Sequence, residues 1–213
     1  MKLLYTGLDP SRFYFSGEVD HVPFIAIQPR AIEDIMPYLV QAKEDVILTS
    51  RTAVQCFVQG MQLCQQNYRN KRYFVVGAAT AQLLEQSGAH DILVAKQQDA
   101  EGVCLLLSAY PSSFIFYPHA AGARDVIARY LKAQEIPHLA CWLYTTEALQ
   151  PNPLPNLEKY THVMFTSPST VKAFFQCYPR LPNHLVCQAI GPVTRHALLK
   201  VLEDTKQVDQ ILG

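Results

Sequence analysis

The sequence predicts an α/β protein built as two similar parallel-sheet domains. Three observations carry that reading. Short β-prone runs alternate with helix-period segments along the chain. The strands are nearly continuous apolar runs, as expected of strands buried on both faces. A set of landmarks also occurs twice in the same order, about 100 residues apart, which points to two domains rather than one wide sheet.

The clearest landmark pair is VILTSRTAVQCF (residues 46–57) and VMFTSPSTVKAFF (residues 163–175). Each runs from an apolar strand through Thr-Ser, one residue, Ser or Thr, a small residue and Val into an apolar-rich segment. VVGAATAQLL (75–84) is matched by AIGPVTRHALL (189–199), KLLYT (2–6) by FIFYP (114–118), and VPFIAIQP (22–29) by HLACWLYTT (138–146). One such match arises easily by chance, whereas four in the same order are poor odds for it.

Taken in order, strands are expected at 2–6, 46–49, 73–76, 92–94, 114–117, 162–166 and 185–190. The segments 22–29 and 138–146 are extended, β-prone and flanked by Pro or Thr. Helices are expected at 32–42, 51–66, 78–87, 100–109, 122–134, 168–178 and 192–202. In the fifth of these, Val126, Ile127, Tyr130 and Leu131 recur on one helical face. Ser50 and Ser167 stand at N-cap positions, and Pro168 and Pro192 at first helical positions, where a missing N–H is no loss. Gly77 and Gly191 cap the helices that carry Thr80 and Thr194 in their first turns.

Composition narrows the function. With 49% hydrophobic and 17% charged residues the chain is globular, and no apolar run nears the roughly 20 residues of a membrane span. The start, MKLLYTGLDPSR, is too short in apolar length for a signal peptide, so a cytoplasmic location is expected. The formal net charge is zero and the basic pair Lys71-Arg72 is isolated, which argues against a nucleic-acid partner. An anionic ligand must then be held by local donors rather than by a global field. The six cysteines and seven histidines are dispersed, with no C-x-x-C or H-E-x-x-H, which favours reduced core thiols and gives metal catalysis no support. No phosphate loop, dinucleotide fingerprint or G-x-S-x-G elbow is present, and no cofactor is expected. No symmetry-bearing surface is evident, so a monomer is expected.

The repeated turns carry the chemistry. Each helix start displays free backbone N–H groups and the positive end of a helix dipole, ringed by hydroxyls, a carboxylate or phosphate site in outline. Ser, Thr and Gly are also the ordinary caps of any helix. Four such turns in two matched pairs suggest a ligand with several anionic groups.

The ordered set LTSRTAV, VGAATAQLLEQSG, HAAGARDVIARYL, LYTTEA, VMFTSPSTVKAFF and AIGPVTRHALL resembles the uroporphyrinogen-III synthase family over nearly the whole chain. The resemblance implies two α/β domains, 1–22 plus 148–213 and 30–137, joined by linker strands at 23–29 and 138–147, with the active site in the interdomain cleft. It implies cyclisation of linear hydroxymethylbilane to uroporphyrinogen III, with loss of water and inversion of the last pyrrole ring through a spiro intermediate. By motif match, Thr49, Ser50, Arg51, Thr166, Ser167 and Ser169 would meet substrate carboxylates, with Gly77, Thr80, Gly191 and Thr194 from the neighbouring helix starts. Arg124, in GARD, would add a charge-assisted contact. Tyr144, the tyrosine of LYTT, would hydrogen-bond the leaving hydroxyl as a weak general acid. The partner implied is this small molecule, with transient contact to the preceding pathway enzyme.

The chain departs from the family's Thr-Arg-Pro at the end of its first strand: Thr6 is followed by Gly7, and GLDPSRFYFSGEVDHV has no helical period. Either Arg12 replaces the missing arginine or that contact is gone, and DTKQVDQILG leaves room for one short last strand. That eroded start favours the alternative reading, a non-catalytic two-domain module that binds a polycarboxylate or other polyanionic metabolite.

Overall fold

The structure is a computed structural model that describes residues 1–11 and 13–207. Two expectations, Arg12 as a replacement arginine and a short last strand near the C-terminus, lie outside the described residues. In chain order the elements are β1 (Lys2–Tyr5), β2 (Glu18–His21), β3 (Ile25–Pro29), α1 (Ile32–Leu39), β4 (Asp45–Leu48) and α2 (Arg51–Leu63). There follow β5 (Arg72–Val75), α3 (Ala78–Gln86), β6 (Asp91–Val94), α4 (Ala100–Ala109), β7 (Ile115–Ala120), α5 (Val126–Ala133) and β8 (His138–Ala148). A 3-10 turn (Leu157–Lys159) precedes β9 (His162–Phe165), α6 (Pro168–Cys177), β10 (Val186–Ala189) and α7 (Pro192–Asp204).

The chain forms two compact units, Met1–Ile27 with Thr146–Gly213, and Gln28–Thr145. It passes from one to the other within β3 and again within β8, which are neighbours in one sheet. The α/β class with parallel sheets is borne out. The first unit's sheet has the order β10-β9-β1-β2, all parallel. The second sheet is β3-β8-β7-β4-β5-β6, parallel from β8 to β6. The repeat is therefore exchanged: β1 of the first copy pairs with β9 of the second, and β7 of the second pairs with β4 of the first.

The helices start where local chemistry allows. Ser50 and Ser167 have extended backbone and accept the N–H of the third helical residue, Ala53 at 3.0 Å and Thr170 at 3.2 Å. At α6 the cap is reciprocal, because the Thr170 hydroxyl accepts the Ser167 N–H at 3.1 Å. Helix α2 buries Ala53, Val54, Phe57, Val58 and Met61 on one face. Its Gly60 lets α1 approach closely, since a Cβ there would stand 2.7 Å from Leu39 Cδ1.

The helix expected over 122–134 begins only at Val126, a correction with a plain cause: Gly122 sits at φ +73, which an α-helix does not tolerate. Helix α2 stops at Leu63 rather than at residue 66, with Gln65 at φ +53 just beyond, and α1 stops at Leu39 rather than at residue 42. Strand β2 is not foreseen by the sequence. EVDH is mostly exposed and has no apolar alternation, so its only signal is the pairing itself, Lys2 opposite Glu18 through Tyr5 opposite His21. Lys2 Nζ lies 3.0 Å from Asp20 on that strand, and the Tyr160 hydroxyl donates to Asp20 at 2.8 Å.

The two units are covered differently on matching faces. In the second unit Ile47, Ile115 and Tyr117 pack under Val103, Cys104 and Leu107 of α4 and Ile127 and Leu131 of α5. Their counterparts in the first unit, Met164, Leu3 and Tyr5, meet Phe13 and Phe15 instead. Those two side chains come from the connection between β1 and β2, whose described residues form no helix and whose length is near the roughly dozen-residue minimum for a parallel crossover. The Phe13 ring lies 5.5 Å from Tyr5 and the Phe15 ring 5.2 Å from His162. Two aromatic side chains thus do the covering that α5 does in the other unit.

On its other face the first unit's core is an aromatic cluster. Phe174 is fully buried, with ring centroids of Phe24 and Phe165 at 5.1 Å and Tyr178 at 4.8 Å. Phe174→Ala leaves a void in rigid surroundings and should lower the unfolding free energy by about 3–5 kcal/mol. Urea unfolding followed by circular dichroism checks this, expecting an earlier midpoint at unchanged m-value.

Candidate functional site

Both parallel sheets end in a row of helix starts at the carboxyl edge, the place where α/β sheets take ligands. In the second unit that row runs across the neighbouring strands β8, β7, β4 and β5. It presents Tyr144 on β8, Thr49 and Ser50 after β4, and Gly77 with Thr80 after β5. Arg51 is the first residue of α2 and is half-buried. In the first unit the row runs across β10, β9 and β1, with Gly191 and Thr194 after β10, Thr166, Ser167 and Ser169 after β9, and Thr6 and Gly7 after β1.

A bulge puts Tyr144 in this row. Along β8, Cys141 and Leu143 are buried while Ala140 and Trp142 face out, so strict alternation would send Tyr144 outward beside Trp142. The pairing with β7 instead skips one residue: His119 stands opposite Trp142, but Ala120 stands opposite Tyr144, leaving Leu143 extra. The shift turns Tyr144 to the face that carries α2, and its exposure falls to 5%, against 38% for Trp142. The bulge is held from both sides. The Arg30 N–H donates to the Leu143 carbonyl at 2.7 Å, and the Ala121 N–H donates to the Tyr144 carbonyl at 2.8 Å.

Facing α2, the Tyr144 hydroxyl lies 2.9 Å from Ser50 Oγ, which also accepts the Ala53 N–H. Burial pushes the Tyr144 phenol above the ordinary tyrosine range, and the hydrogen bond with Ser50 opposes that rise. Tyr117, on β7, is pushed by burial to about 12. Both are neutral hydrogen-bonding groups near pH 7.

The remaining candidates are placed unequally. Thr80 and Thr194, like Tyr144, are buried. Ser169 is exposed, and Thr49, Thr166 and Ser167 are half-buried. Arg124 lies in the turn ahead of α5 and makes a bidentate ion pair with Glu101, at 2.9 and 3.0 Å. The guanidinium holds the Glu101 carboxyl below its usual range. Any anion that Arg124 takes competes with that exposed pair.

The two G-x-x-T turns look alike in sequence but differ in backbone. Gly191 has φ +78 and ψ 159, a region essentially confined to glycine, with open space where a Cβ would be. Gly77 is extended at φ −167, and a Cβ there would meet the Gln98 side-chain oxygen at 3.0 Å.

Three further residues shape these edges. Gly7 brings the chain against Thr166, since a Cβ at residue 7 would lie 2.5 Å from Thr166 Oγ1. The Gly that departs from the family pattern thus lets the β1 end pack beside a candidate side chain. His21, at the end of β2, makes a 2.8 Å hydrogen bond through Nε2 with the Gly7 carbonyl. Asp99 caps α4 through the Gly102 N–H at 2.8 Å, and its Asp-x-x-Gly spacing was a readable signal. Among the described residues no group of three His, Cys, Asp or Glu side chains could hold a metal ion, and no helix is long and apolar enough to cross a membrane.

These features define an α/β protein of two units, each with parallel strands whose carboxyl edge carries helix N-termini and hydroxyls. The family model described as uroporphyrinogen-III synthase HemD matches residues 15–202, and the chain belongs to the uroporphyrinogen-III synthase family, lyases of tetrapyrrole and haem biosynthesis. Comparison with curated proteins gives no match. Among solved structures, a mutant uroporphyrinogen III synthase from the extremely thermophilic bacterium Thermus thermophilus is 16% identical with a TM-score of 0.65, covering 94% of this chain and 88% of that one. A uroporphyrinogen-III synthetase from Helicobacter pylori is likewise 16% identical with a TM-score of 0.65, covering 99% and 91%. At that identity the likeness shows a shared fold.

The contrast between the glycines is testable by chemical denaturation. Gly191→Ala forces a side chain into backbone reserved for glycine and should cost about 1–3 kcal/mol. Gly77→Ala, in ordinary extended backbone against a movable glutamine end, should cost distinctly less.

Proposed function

We propose that this chain acts as a cyclising hydro-lyase, converting linear hydroxymethylbilane to uroporphyrinogen III. Departure of the hydroxymethyl oxygen as water turns the end of the bilane into an electrophilic azafulvene. The substituted carbon of ring D attacks, the spiro intermediate fragments, and the ring recloses inverted. This reactivity belongs largely to the substrate, and the protein's share is orientation with help to the departing oxygen. Carboxylates of the bilane are assigned to the helix starts: Thr49, the main-chain N–H of Ser50, Arg51, Gly77 and Thr80, and likewise Thr166, Ser167, Ser169, Gly191 and Thr194. Arg124 adds a charge-assisted contact by exchanging Glu101 for a substrate carboxylate. No resident cofactor is invoked, and the protein works as a cytoplasmic monomer that meets the preceding pathway enzyme transiently.

The observation that carries the catalytic part is the bulge that turns Tyr144 off the outward face and into the row on the α2 side. A neutral phenol held there is a proton donor for the leaving hydroxyl. The stretch after β1, the feature that favours a non-catalytic binding module, still delivers β2 to its place beside β1. The family match favours the enzyme over that module.

The reading is tested with freshly prepared hydroxymethylbilane, resolving type III from type I isomer after oxidation. Type III should dominate; type I alone, at the spontaneous rate, would sink the proposal. Tyr144→Phe should lower turnover by about tenfold or more without abolishing it.

A further inference from the structure

The hydrogen bond between Ser50 and Tyr144 joins residues 94 apart in sequence, and either hydroxyl can be its donor. Ser50 Oγ already accepts the Ala53 N–H at 3.0 Å, the contact that starts α2. That contact fixes where the hydroxyl oxygen stands. Its single proton can be given to the Tyr144 oxygen at 2.9 Å, or the phenol can give its own proton to Ser50. In the first arrangement the phenol keeps a free proton; in the second that proton is consumed inside the protein. A ligand oxygen that accepts from Tyr144 selects the first. Both partners are held independently, Ser50 by the helix cap and Tyr144 by the pinned bulge, so the pair is organised before a ligand arrives.

We propose that Ser50 is a positioning residue that acts through Tyr144, donating its proton to the phenol oxygen so that the phenol's own proton is aimed at the departing hydroxyl of the substrate. The inference rests on the reading of Tyr144 given above. As the substrate carbon–oxygen bond breaks, its electron pair leaves with the oxygen, the Tyr144 proton completes a water molecule, and the phenolate left behind accepts the Ser50 hydrogen bond. The phenolate is reprotonated by the proton released when the closed ring regains its pyrrole aromaticity, so atoms and charge balance over a turnover.

The second copy of the turn shows what Ser50 would do without this role. Ser167 caps α6 in the same way, but its main chain is locked to Thr170, whose hydroxyl accepts the Ser167 N–H at 3.1 Å and donates to the Ser167 carbonyl at 2.7 Å. At residue 53, the place of Thr170, the first copy has Ala, which cannot make that box. The duplicated turns thus differ: one serine caps its helix within a capping box, and the other caps its helix and also meets a phenol. Other ionisable groups acting on the Tyr144 phenol are Cys56 from α2 and Tyr117 from β7.

The test uses Ser50→Gly, Ser50→Thr, Tyr144→Phe and the double variant Ser50→Gly/Tyr144→Phe in the full chain. Glycine caps a helix nearly as well as serine, so Ser50→Gly removes the hydroxyl and keeps the helix start. Ser50→Gly should slow type III formation about fivefold or more, the share expected of one lost hydrogen bond. Ser50→Thr, which keeps the hydroxyl, should recover most of that loss, and the double variant should be no slower than Tyr144→Phe alone. With ring-labelled tyrosine, the NMR titration of Tyr144, assigned by its absence in Tyr144→Phe, should move to higher pH in Ser50→Gly, because burial then acts unopposed. A defect in Tyr144→Phe with full activity in Ser50→Gly overturns this proposal alone. An equal loss from Ser50→Gly in the Tyr144→Phe background also overturns it, since Ser50 would then act on its own. Unchanged turnover in Tyr144→Phe overturns the role of Tyr144 itself, and is distinguishable because the titration shift still reports the hydrogen bond.

Discussion

The constraint on which the rest depends is the parallel pairing of strands that are far apart in the chain. Parallel neighbours cannot be joined by a tight turn, so each pairing needs a crossover, and each crossover returns the chain to the same edge. All the helix starts that follow β4, β5, β9 and β10 therefore gather at carboxyl edges. The exchange of β1 and β7 between the copies then binds the halves together: β1 completes the sheet of β9 and β10, and β7 completes that of β4 and β5. The helix caps and the bulge are local refinements on rows that topology has already set out.

The two units solve the same packing problem at different expense. Where the second lays α4 and α5 over its sheet, the first covers Leu3, Tyr5 and Met164 with Phe13 and Phe15. Aromatic rings bury much area per residue and have few rotatable bonds, so two can stand in for a helical face when the connection is short. The same short connection brings Gly7 against Thr166 and places His21 beside it. Losing a helix here alters what the carboxyl edge of β1 presents, while the pairing of β1 with β2 and β9 stays intact.

What is legible in the sequence is the local chemistry. Ser50 and Ser167 read as caps and are caps, because an N-cap needs only a short polar side chain and the amides of the next turn. The alternation of strands and helices and the repeat itself are equally readable, since they rest on periodicity. EVDH is not, because an exposed edge strand has no apolar period and exists through its pairing. Gly122 reads as the start of a helix that begins four residues later, because a glycine in the left-handed region and a glycine at a helix start look the same in one sequence. The bulge at Leu143 leaves no trace, as Cys141 through Tyr144 are all apolar or aromatic and either register would bury some of them. The contact between Ser50 and Tyr144 depends on that bulge, and so is out of reach of the sequence.

The exchanged strands also dictate an order of events during synthesis. The unit Gln28–Thr145 is one continuous stretch, complete once its last strand has been made. The other unit opens with β1 and closes with residues from Thr146 onward, so β1 emerges first and pairs with β9 only after the whole middle of the chain has appeared. A two-stranded pair such as β1 with β2 is marginal by itself. On the ribosome the central unit can therefore mature first, while the segment that carries β1 stays unpaired along its β9 edge until β9 is made.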